Sequence, residues 1–320
     1  MAVARYALAR LAGLVGTLWV TSLLVFGATH AAPGSPEEFL LRGRAPTPEA
    51  LAVVRTQYHL DEPLIEQYLR WAGGVLTGDF GRSLQFRQDV AGLIGARLTT
   101  TMWLVGYSAL LIVVVGLMVG IVGALRPGPL DRTLLVGTTV AAATPSFVAV
   151  IGLSAVFSVG LGLLPAYGNG EGFAGRLTHL TLPAVALALG TIGLLARVTR
   201  SAMLAELSRD HVEVARGRGL PGHAVIRRHV LRNAAGPITA ITGLIIAGTF
   251  VTTAVVEIGF GLSGLGSLLV QSVIAKDFPV VQAVCLLVVV AFVLVNLLVD
   301  LVGPLLDPRV GSTWAKRGPR

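Results

Sequence analysis

The stretch TMWLVGYSALLIVVVGLMVGIVGAL, residues 101–125, carries no charged side chain along its whole length. A helix needs roughly 20 apolar residues to cross a bilayer, because the hydrocarbon core is about 30 Å thick. Five more stretches meet this requirement, near Ala7–Thr29, Thr133–Leu163, Leu180–Ala196, Ile238–Ile258 and Val280–Val302. The sequence therefore predicts an all-α membrane protein with six transmembrane helices. Pro145 lies within the third of them, so we expect that helix to be kinked or to begin late.

The composition favours a membrane protein over a soluble one. Hydrophobic residues make up 54% of the 320-residue chain and charged residues only 13%, against roughly 25% charged in soluble domains. The first apolar stretch follows Arg5 and Arg10, as a secretory signal peptide would. It is long and no clean A-x-A cleavage site follows, so we interpret it as a retained anchor. Cys285 is the only cysteine, which excludes a disulfide or a cysteine-based zinc site within the chain.

The Lys and Arg residues indicate the orientation, because cytoplasmic loops of membrane proteins carry an excess of them. If both termini are cytoplasmic, most of the 25 Lys and Arg residues are cytoplasmic too, and the short outer loops hold only Arg176 and Lys276. The long segment 31–98 carries nearly balanced charges and is tolerated outside. The net charge of +8 is therefore a topology signal, and no nucleic-acid partner is expected.

Segment 31–98 is predicted to form a small helical cap on the outer face. Thr47 suits a helix N-cap with Pro48 at the first helical position. A second, amphipathic helix is predicted over EPLIEQYLRWAGGVL, residues 62–76, in which Trp71 suits the membrane–water interface. This cap is either a packing platform or a rim that docks a partner.

The cytoplasmic stretch 197–236 is predicted to form a short helix–turn–helix between two spans. Its sequence favours a helix to about Arg218, a turn at Gly219 and a new helix start at Pro221. Both ends are tethered close to the bilayer, which argues against a DNA-binding helix-turn-helix. The stretch is either a basic loop in contact with anionic lipid or a lever that transmits force from a cytoplasmic partner.

Nucleotide-binding and enzymatic motifs are not indicated. Gly259, Gly261 and Gly264 match G-x-G-x-x-G, but a spanning helix precedes them where a dinucleotide site needs a strand, so a re-entrant turn is predicted instead. The only lysines, Lys276 and Lys316, both follow alanine, so the chain has no P-loop. It contains neither H-E-x-x-H nor G-x-S-x-G. We therefore expect no catalytic residue, no metal site and no cofactor bound by this chain.

Few polar groups are predicted within the membrane. Asn296 and Asp300 share one face of the sixth span, and Asp300 lies near enough to the cytoplasmic end to reach water or Arg200. Gly116 and Gly120 form a G-x-x-x-G helix-packing motif. The candidates for lining a pathway are threonines, namely Thr138, Thr139, Thr144, Thr249, Thr252 and Thr253.

The cytoplasmic stretch resembles a loop of a known family. DHVEVARGRGL, residues 210–220, followed by IRRHVLRNAAGP, residues 226–237, is similar to the EAA loop of binding-protein-dependent ABC importer permeases. More narrowly, the chain resembles the B-type permease subunit of dipeptide and oligopeptide importers. The other matching stretches are YHLDEPLIEQYLRW with GDFGRSL, then LARVTRSAML, then DFPVVQAVCLLVVVAFVLVNLLVDLVGPLLDPRV. Together they cover most of residues 50–310 in the expected order.

The resemblance implies a type-1 ABC importer permease fold, with a small helical extracytoplasmic insertion between the first and second transmembrane helices. It also implies that the EAA-like loop docks on a separate ATPase. The positions that match the loop are Asp210, Glu213, Ala215, Arg216 and Gly219. The candidates for an outer gate or for partner docking are Asp79, Gly261 and Gly264. Val214 interrupts a literal Glu-Ala-Ala, and Ser263 stands where the family often has proline.

The resemblance further implies a domain organisation and a set of partners. It gives an anchor at 1–30, an outer cap at 31–98, a permease core at 99–305 with a coupling loop at 201–236, and a cytoplasmic tail at 306–320. The partners are a second homologous permease, one or two ABC ATPases that bind ATP and Mg²⁺, an extracytoplasmic peptide-binding protein and membrane lipid.

The expected function is ATP-driven import of peptides across a bacterial cell membrane, with this chain forming half of the translocation path. The alternatives are a secondary transporter that works without an ATPase and a membrane scaffold without transport. Relatives of peptide permeases also handle nickel complexes and other small solutes, so the sequence leaves the substrate open.

Overall fold

The structure is a computed structural model that describes residues 2–31, 52, 56 and 61–306. Within these ranges, side chains are described from residue 12 to residue 299. The expected helix start at Thr47 and Pro48 lies outside the described residues, as does the expected tail beyond residue 306.

Helices make up most of the described chain. They are α1 (Ala2–Ala31), α2 (Leu64–Thr77), α3 (Val90–Leu125), α4 (Pro129–Ala143), α5 (Ser146–Leu153), α6 (Gly172–Leu207), α7 (Asp210–Gly217), α8 (Gly222–Val225), α9 (Arg232–Gly259), α10 (Leu265–Ile274) and α11 (Phe278–Leu306). Two π-helical segments, Ser154–Gly160 and Ile226–Leu231, directly follow α5 and α8. The described ranges contain one isolated β-bridge, between Arg82 and Asp89, and no β-strand. The all-α prediction is confirmed.

Five helical segments of the described chain are long and apolar enough to cross a bilayer, judged by length and composition. They are Ala12–Ala31, Val90–Leu125, Gly172–Leu207, Gly222–Gly259 and Phe278–Val299. A sixth span results if Pro129–Ala143 and Ser146–Gly160 are one bent segment. These segments match the six predicted stretches in position, although α6 begins well before the predicted Leu180.

The third span is broken at Pro145. The axes of Pro129–Ala143 and Ser146–Gly160 differ by 104°. Proline disfavours the helical conformation in the residue that precedes it, and Thr144 is extended, with φ −78° and ψ 114°. The predicted kink is therefore confirmed, and the proline is its physical cause.

The prediction of one continuous helix to about Arg218 is wrong. α6 ends at Leu207, Arg209 is extended with φ −83° and ψ 144°, and α7 begins at Asp210. Ser208 and Asp210 have short polar side chains that compete with helical hydrogen bonding and favour helix ends. The acidic Asp210 and Glu213 then stand in the first turn of α7, where the helix dipole favours negative charge.

The described chain divides into two compact units. The first contains the described residues between 3 and 101 together with 263–291, and the second contains residues 102–262 and 292–306. The core of the first unit includes Val90, Leu268, Val280 and Val284. The second unit has two cores, one including Leu104, Leu187 and Phe260, the other Ile112, Leu195, Met203 and Val230. The expected division at residues 30, 98 and 305 follows membrane topology and stays a prediction.

In the first unit, α2 packs against the C-terminal part of α1. The Tyr68 hydroxyl lies 2.9 Å from the Ser22 hydroxyl, and the Trp71 ring centroid lies 5.8 Å from that of Phe26. Ser22 and Phe26 both belong to the apolar segment Ala12–Ala31. These contacts therefore hold α2 beside the apolar part of α1. The helix predicted over residues 62–76 is confirmed as α2, while its place in a cap on the outer face stays a prediction.

We expect the free apolar face of α2 to lie in the interfacial layer of the bilayer. Ile65, Leu69 and Leu76 are 73%, 62% and 89% exposed, although water is a poor solvent for them. In a Cys285→Ser background, a fluorophore on Leu69→Cys should be quenched by brominated lipids. The same label on Arg70→Cys, about 100° further around the helix, is the control and should be quenched less. Equal quenching at both positions would contradict the prediction.

In the second unit, α4 and α6 run antiparallel and approach closely at two glycines of α6. A Cβ atom added to Gly193 would lie 2.3 Å from the Thr138 carbonyl oxygen. A Cβ atom added to Gly190 would lie 3.6 Å from the Ala141 carbonyl oxygen, an ordinary contact distance. The lack of a side chain at Gly193 therefore lets the two backbones meet.

Gly193→Ala is expected to destabilise the protein by about 1–3 kcal/mol, the usual cost of overpacking a close contact. Its methyl group cannot be accommodated without separating α4 from α6. The measurement is the midpoint of thermal unfolding in detergent. Gly190→Ala is the matched control and should unfold within a degree or so of the wild type. Equal midpoints for the two variants would show that α4 is not held so closely.

Candidate functional site

Residues 208–231 connect α6 to α9, and α7 is the central helix of this connection. Two buried apolar residues hold α7 against the core of the second unit. Val212 is fully buried and Ala215 is 4% exposed. Both join a core cluster that includes Met203 of α6 and Val230 of the following π-helical segment. One side of α7 is thus part of the core of the second unit, and Ala215 serves as an anchor.

α7 ends in a Schellman motif that depends on Gly219. The Gly219 N–H donates to the Arg216 carbonyl at 2.9 Å, and the Leu220 N–H donates to the Ala215 carbonyl at 3.3 Å. Gly219 has φ +76°, a left-handed conformation that glycine adopts readily and other residues rarely do. A Cβ atom at Gly219 would meet nothing within 4 Å, so the requirement is conformational rather than steric. The predicted turn at this residue is confirmed.

The outward side of α7 and its C-terminal turn combine charged and apolar groups. Asp210, Glu213 and Arg216 are exposed, as the amphipathic pattern requires. Between them Val214 is 53% exposed, and Leu220 beyond the turn is 40% exposed. An apolar centre with charged residues around it is the usual composition of a protein-docking surface.

A polar network joins the start of α7 to its two neighbours. Glu206 at the end of α6 lies 3.7 Å from both Arg209 and His211. Asn233 of α9 contacts His211 at 3.1 Å and donates to the His229 carbonyl at 2.8 Å. In the described part of the chain, no three His, Cys, Asp or Glu residues come together as metal ligands. These contacts connect α6, α7 and α9.

The six candidate pathway threonines divide into two groups. Thr138, Thr249 and Thr253 are buried, whereas Thr139 and Thr252 are exposed and Thr144 is intermediate. Each hydroxyl donates to a carbonyl oxygen three or four residues earlier on its own helix, at 2.6–3.1 Å. Each hydroxyl proton is used in this bond within its own helix. The hydroxyl oxygen can therefore only accept a further hydrogen bond.

The three outer candidate residues occupy helix ends. Asp79 follows α2 and its carboxylate accepts from the Gly81 N–H at 2.9 Å. Gly261 has φ +60° and closes the C-terminal turn of α9, and Gly264 precedes α10 and donates its N–H to the Ser267 hydroxyl at 3.2 Å. Asp79 and Gly264 belong to the first compact unit and Gly261 to the second. Their role as a gate or docking site stays a prediction.

The sequence interpretation missed three buried carboxylates, those of Asp131, Glu257 and Asp277. Arg200 pairs with Asp131 of α4 at 2.6 Å. The side chain of Asp300 lies outside the described residues, so the expected reach of Asp300 to water or Arg200 stays a prediction. Glu257 and Asp277, to which the sequence analysis gave no role, are both fully buried. The signal in the sequence is an acidic residue beside an apolar helix end. Buried carboxylates are rare without partners, so such a residue indicates a contact that only the fold reveals.

These helices define a class of protein, the polytopic membrane protein. The chain belongs to the family of binding-protein-dependent transport system inner membrane components, whose model matches residues 90–312. The model for the N-terminal part of the same membrane components matches residues 3–105. The resemblance found in the sequence is therefore confirmed.

Curated relatives with full-length similarity are glutathione transport permeases. The glutathione transport system permease protein GsiC of Salmonella paratyphi A is 37% identical over 309 residues, which cover 95% of this chain and 98% of the relative. The protein of the same name from Escherichia coli K12 is 36% identical over the same coverage. These relatives are permease subunits, so the chain is a transporter subunit and not an enzyme.

Solved structures with a similar fold are ABC transporters. A chain of the MetNI methionine ABC transporter in its inward-facing conformations superposes with a TM-score of 0.56 at 19% identity, covering 67% of this chain and 96% of that one. A chain of an amino acid ABC transporter with histidines gives 0.51, also at 19% identity, covering 66% and 93%. The type-1 ABC importer permease fold is thereby confirmed, in a multi-pass inner-membrane protein.

Proposed function

We propose that this chain is one of two permease subunits of an ATP-driven importer of short peptides, and that it forms half of the translocation path. The observation that carries the proposal is α7, whose inner side is held by the buried Val212 and Ala215 while its outer side exposes Val214 among charged residues. The relatives named for glutathione transport support a short peptide as the substrate, because glutathione is a tripeptide.

In this proposal, α7 is the contact for a separate ATPase that binds ATP and Mg²⁺. Asp210, Glu213 and Arg216 supply polar contacts, and Gly219 sets the turn that orients the surface. The ATPase displaces α7 when it closes on ATP. α6 and α9 then follow, because the buried anchors and the polar network join all three helices.

The remaining partners act on the opposite side of the membrane and beside this chain. The charge distribution supports cytoplasmic termini, which places the α2 region outside, where a peptide-binding protein delivers substrate. A second, homologous permease completes the path. The exposed Thr139 and Thr252 are the better candidates for its lining, whereas the buried Thr138, Thr249 and Thr253 pack helices.

The test is transport by the reconstituted complex. The chain is expressed with a homologous permease, an ABC ATPase and a peptide-binding protein from the same genome, purified and placed in liposomes. Uptake of labelled glutathione, dipeptides and longer peptides is measured with binding protein outside and ATP inside. We expect peptide uptake only when both the binding protein and ATP are present. We expect Glu213→Arg to lower this uptake and also the rate of ATP hydrolysis that the binding protein stimulates.

Two results would contradict the proposal. If no ATPase co-purifies and a proton gradient alone drives uptake, the chain is a secondary transporter. If the full complex hydrolyses ATP without moving any peptide tested, the substrate class is wrong.

A further inference from the structure

The strongest ion pair described in the second unit joins α4 to α6 at one end of their contact. The Arg200 Nε and terminal nitrogen donate to the two Asp131 carboxylate oxygens at 2.7 and 2.6 Å. The side chains are 25% and 10% exposed, respectively. A two-point contact between a planar guanidinium and a carboxylate fixes orientation as well as distance.

Two glycines of α3 lie close to this part of α6, one of them against the ion pair itself. A Cβ atom on Gly123 would lie 3.2 Å from the nearer Asp131 carboxylate oxygen and 3.4 Å from the Arg200 Cδ atom. A Cβ atom on Gly120 would lie 2.6 Å from the Ala196 carbonyl oxygen, one turn along α6. The pair is thus enclosed by close helix packing, which restricts its movement.

The pair also continues the close contact between α4 and α6. Asp131, Thr138 and Ala141 on α4 lie opposite Arg200, Gly193 and Gly190 on α6. The spacing of seven and then three residues is the same on both helices, in opposite directions. These three opposed pairs therefore form one continuous line of contact between α4 and α6, from the two glycines to the ion pair, which we call the seam.

The seam connects the proposed coupling helix to the broken span. Arg200 is two turns before the end of α6 at Leu207, and α7 begins at Asp210. Asp131 is in the first turn of α4, and α4 leads to the 104° bend at Pro145. The seam is therefore a continuous contact between the helix that precedes α7 and the helix that leads to this bend.

We propose that Asp131 and Arg200 are positioning residues that lock α4 to α6, so that both helices move as one body when α7 is displaced. The proposal rests on the proposed coupling role of α7. Stability alone gives little reason for the pair, because apolar residues often replace a buried ion pair without loss. Its two-point geometry instead fixes the position of α4 along α6. The competing arrangement is a gate in which the pair opens and α4 leaves α6 during transport.

The first experiment removes the pair in the reconstituted complex. Asp131→Asn and Arg200→Gln should each lower the amount of substrate moved per ATP hydrolysed by about three- to thirtyfold, the effect expected when linked sites are uncoupled. Arg200→Lys keeps the charge and loses the two-point contact, so it should recover only part of the loss. The exposed ion pair of Arg82 and Asp89 supplies the control, and Asp89→Asn should leave the ratio unchanged. Unchanged ratios in both pair variants would overturn the proposal.

The second experiment separates a lock from a gate. Ala141→Cys and Gly190→Cys are combined in a Cys285→Ser background and joined by a short thiol-specific crosslinker. If α4 and α6 move together, the crosslinked complex transports as well as the same complex without crosslinker. Loss of uptake on crosslinking would overturn the proposal, because the two helices would then have to separate. Failure of the proposed function is distinguishable, since the unmodified complex would show no ATP-dependent uptake.

Discussion

Gly219→Val is expected to lower substrate uptake by about tenfold. A left-handed backbone costs a non-glycine residue about 1–2 kcal/mol, and a β-branched side chain tolerates it least. Since about 1.4 kcal/mol corresponds to a tenfold change in an equilibrium, the ratio of copies with the native turn to copies without it should fall about tenfold. Both hydrogen bonds of the Schellman motif would be lost, and Leu220 would be displaced from the docking surface.

The measurement is peptide uptake together with binding-protein-stimulated ATP hydrolysis in the reconstituted complex. Gly219→Asn is the matched control, because asparagine adopts the left-handed conformation more readily than most residues. It should keep most of the uptake. A second control is Gly217→Ala, where an added Cβ meets nothing within 4 Å and no positive φ is required. Normal uptake by the valine variant would show that this turn does not position the coupling surface.

The features that could be predicted are those that one short stretch of sequence determines. A run of apolar residues as long as 101–125 has only one stable arrangement in a bilayer, a spanning helix. Pro145 acts on its own neighbour, so a break was predictable there. Gly219 and Gly261 were predictable as turns for the same local reason, and both have positive φ.

The features that were missed depend on contacts between distant residues. Asp131 and Arg200 are separated by 69 positions, and only the packing of α4 on α6 brings them together. Nothing in either local sequence distinguishes Arg200 from the other arginines near it. The break at Ser208 and Arg209 was missed for another reason, because serine and aspartate are common on helix surfaces as well as at helix ends.

Asp277 is the missed residue with the largest expected effect on stability. Its carboxylate is fully buried in the first unit and accepts three hydrogen bonds. The donors are the Ser83 hydroxyl and the backbone N–H groups of Leu84, at 3.1 Å, and Gln85, at 3.1 Å. One side chain therefore joins the turn between α10 and α11 to the segment that precedes α3.

The turn that presents Asp277 is itself strained. Lys276 has φ +55°, although a lysine pays for the left-handed conformation that glycine adopts readily. The turn is closed by the Lys276 N–H on the Val273 carbonyl at 3.1 Å and the Asp277 N–H on the Ser272 carbonyl at 2.8 Å. Such strain persists only where surrounding contacts enforce it, and the Asp277 carboxylate supplies those contacts.

Asp277→Ala should therefore destabilise the protein by about 3 kcal/mol or more, because it leaves the buried donors of Ser83 and Leu84, and the partly buried N–H of Gln85, without their acceptor. The midpoint of thermal unfolding in detergent, followed by size-exclusion chromatography, measures the loss. Asp277→Asn keeps one acceptor oxygen and should fall between alanine and the wild type. Asp89→Ala is the control for removing an acid, since Asp89 is 79% exposed in its ion pair with Arg82 and should cost at most about 1 kcal/mol. Equal effects at the two positions would show that the three hydrogen bonds do not hold this segment, because burial is the main difference between the two carboxylates.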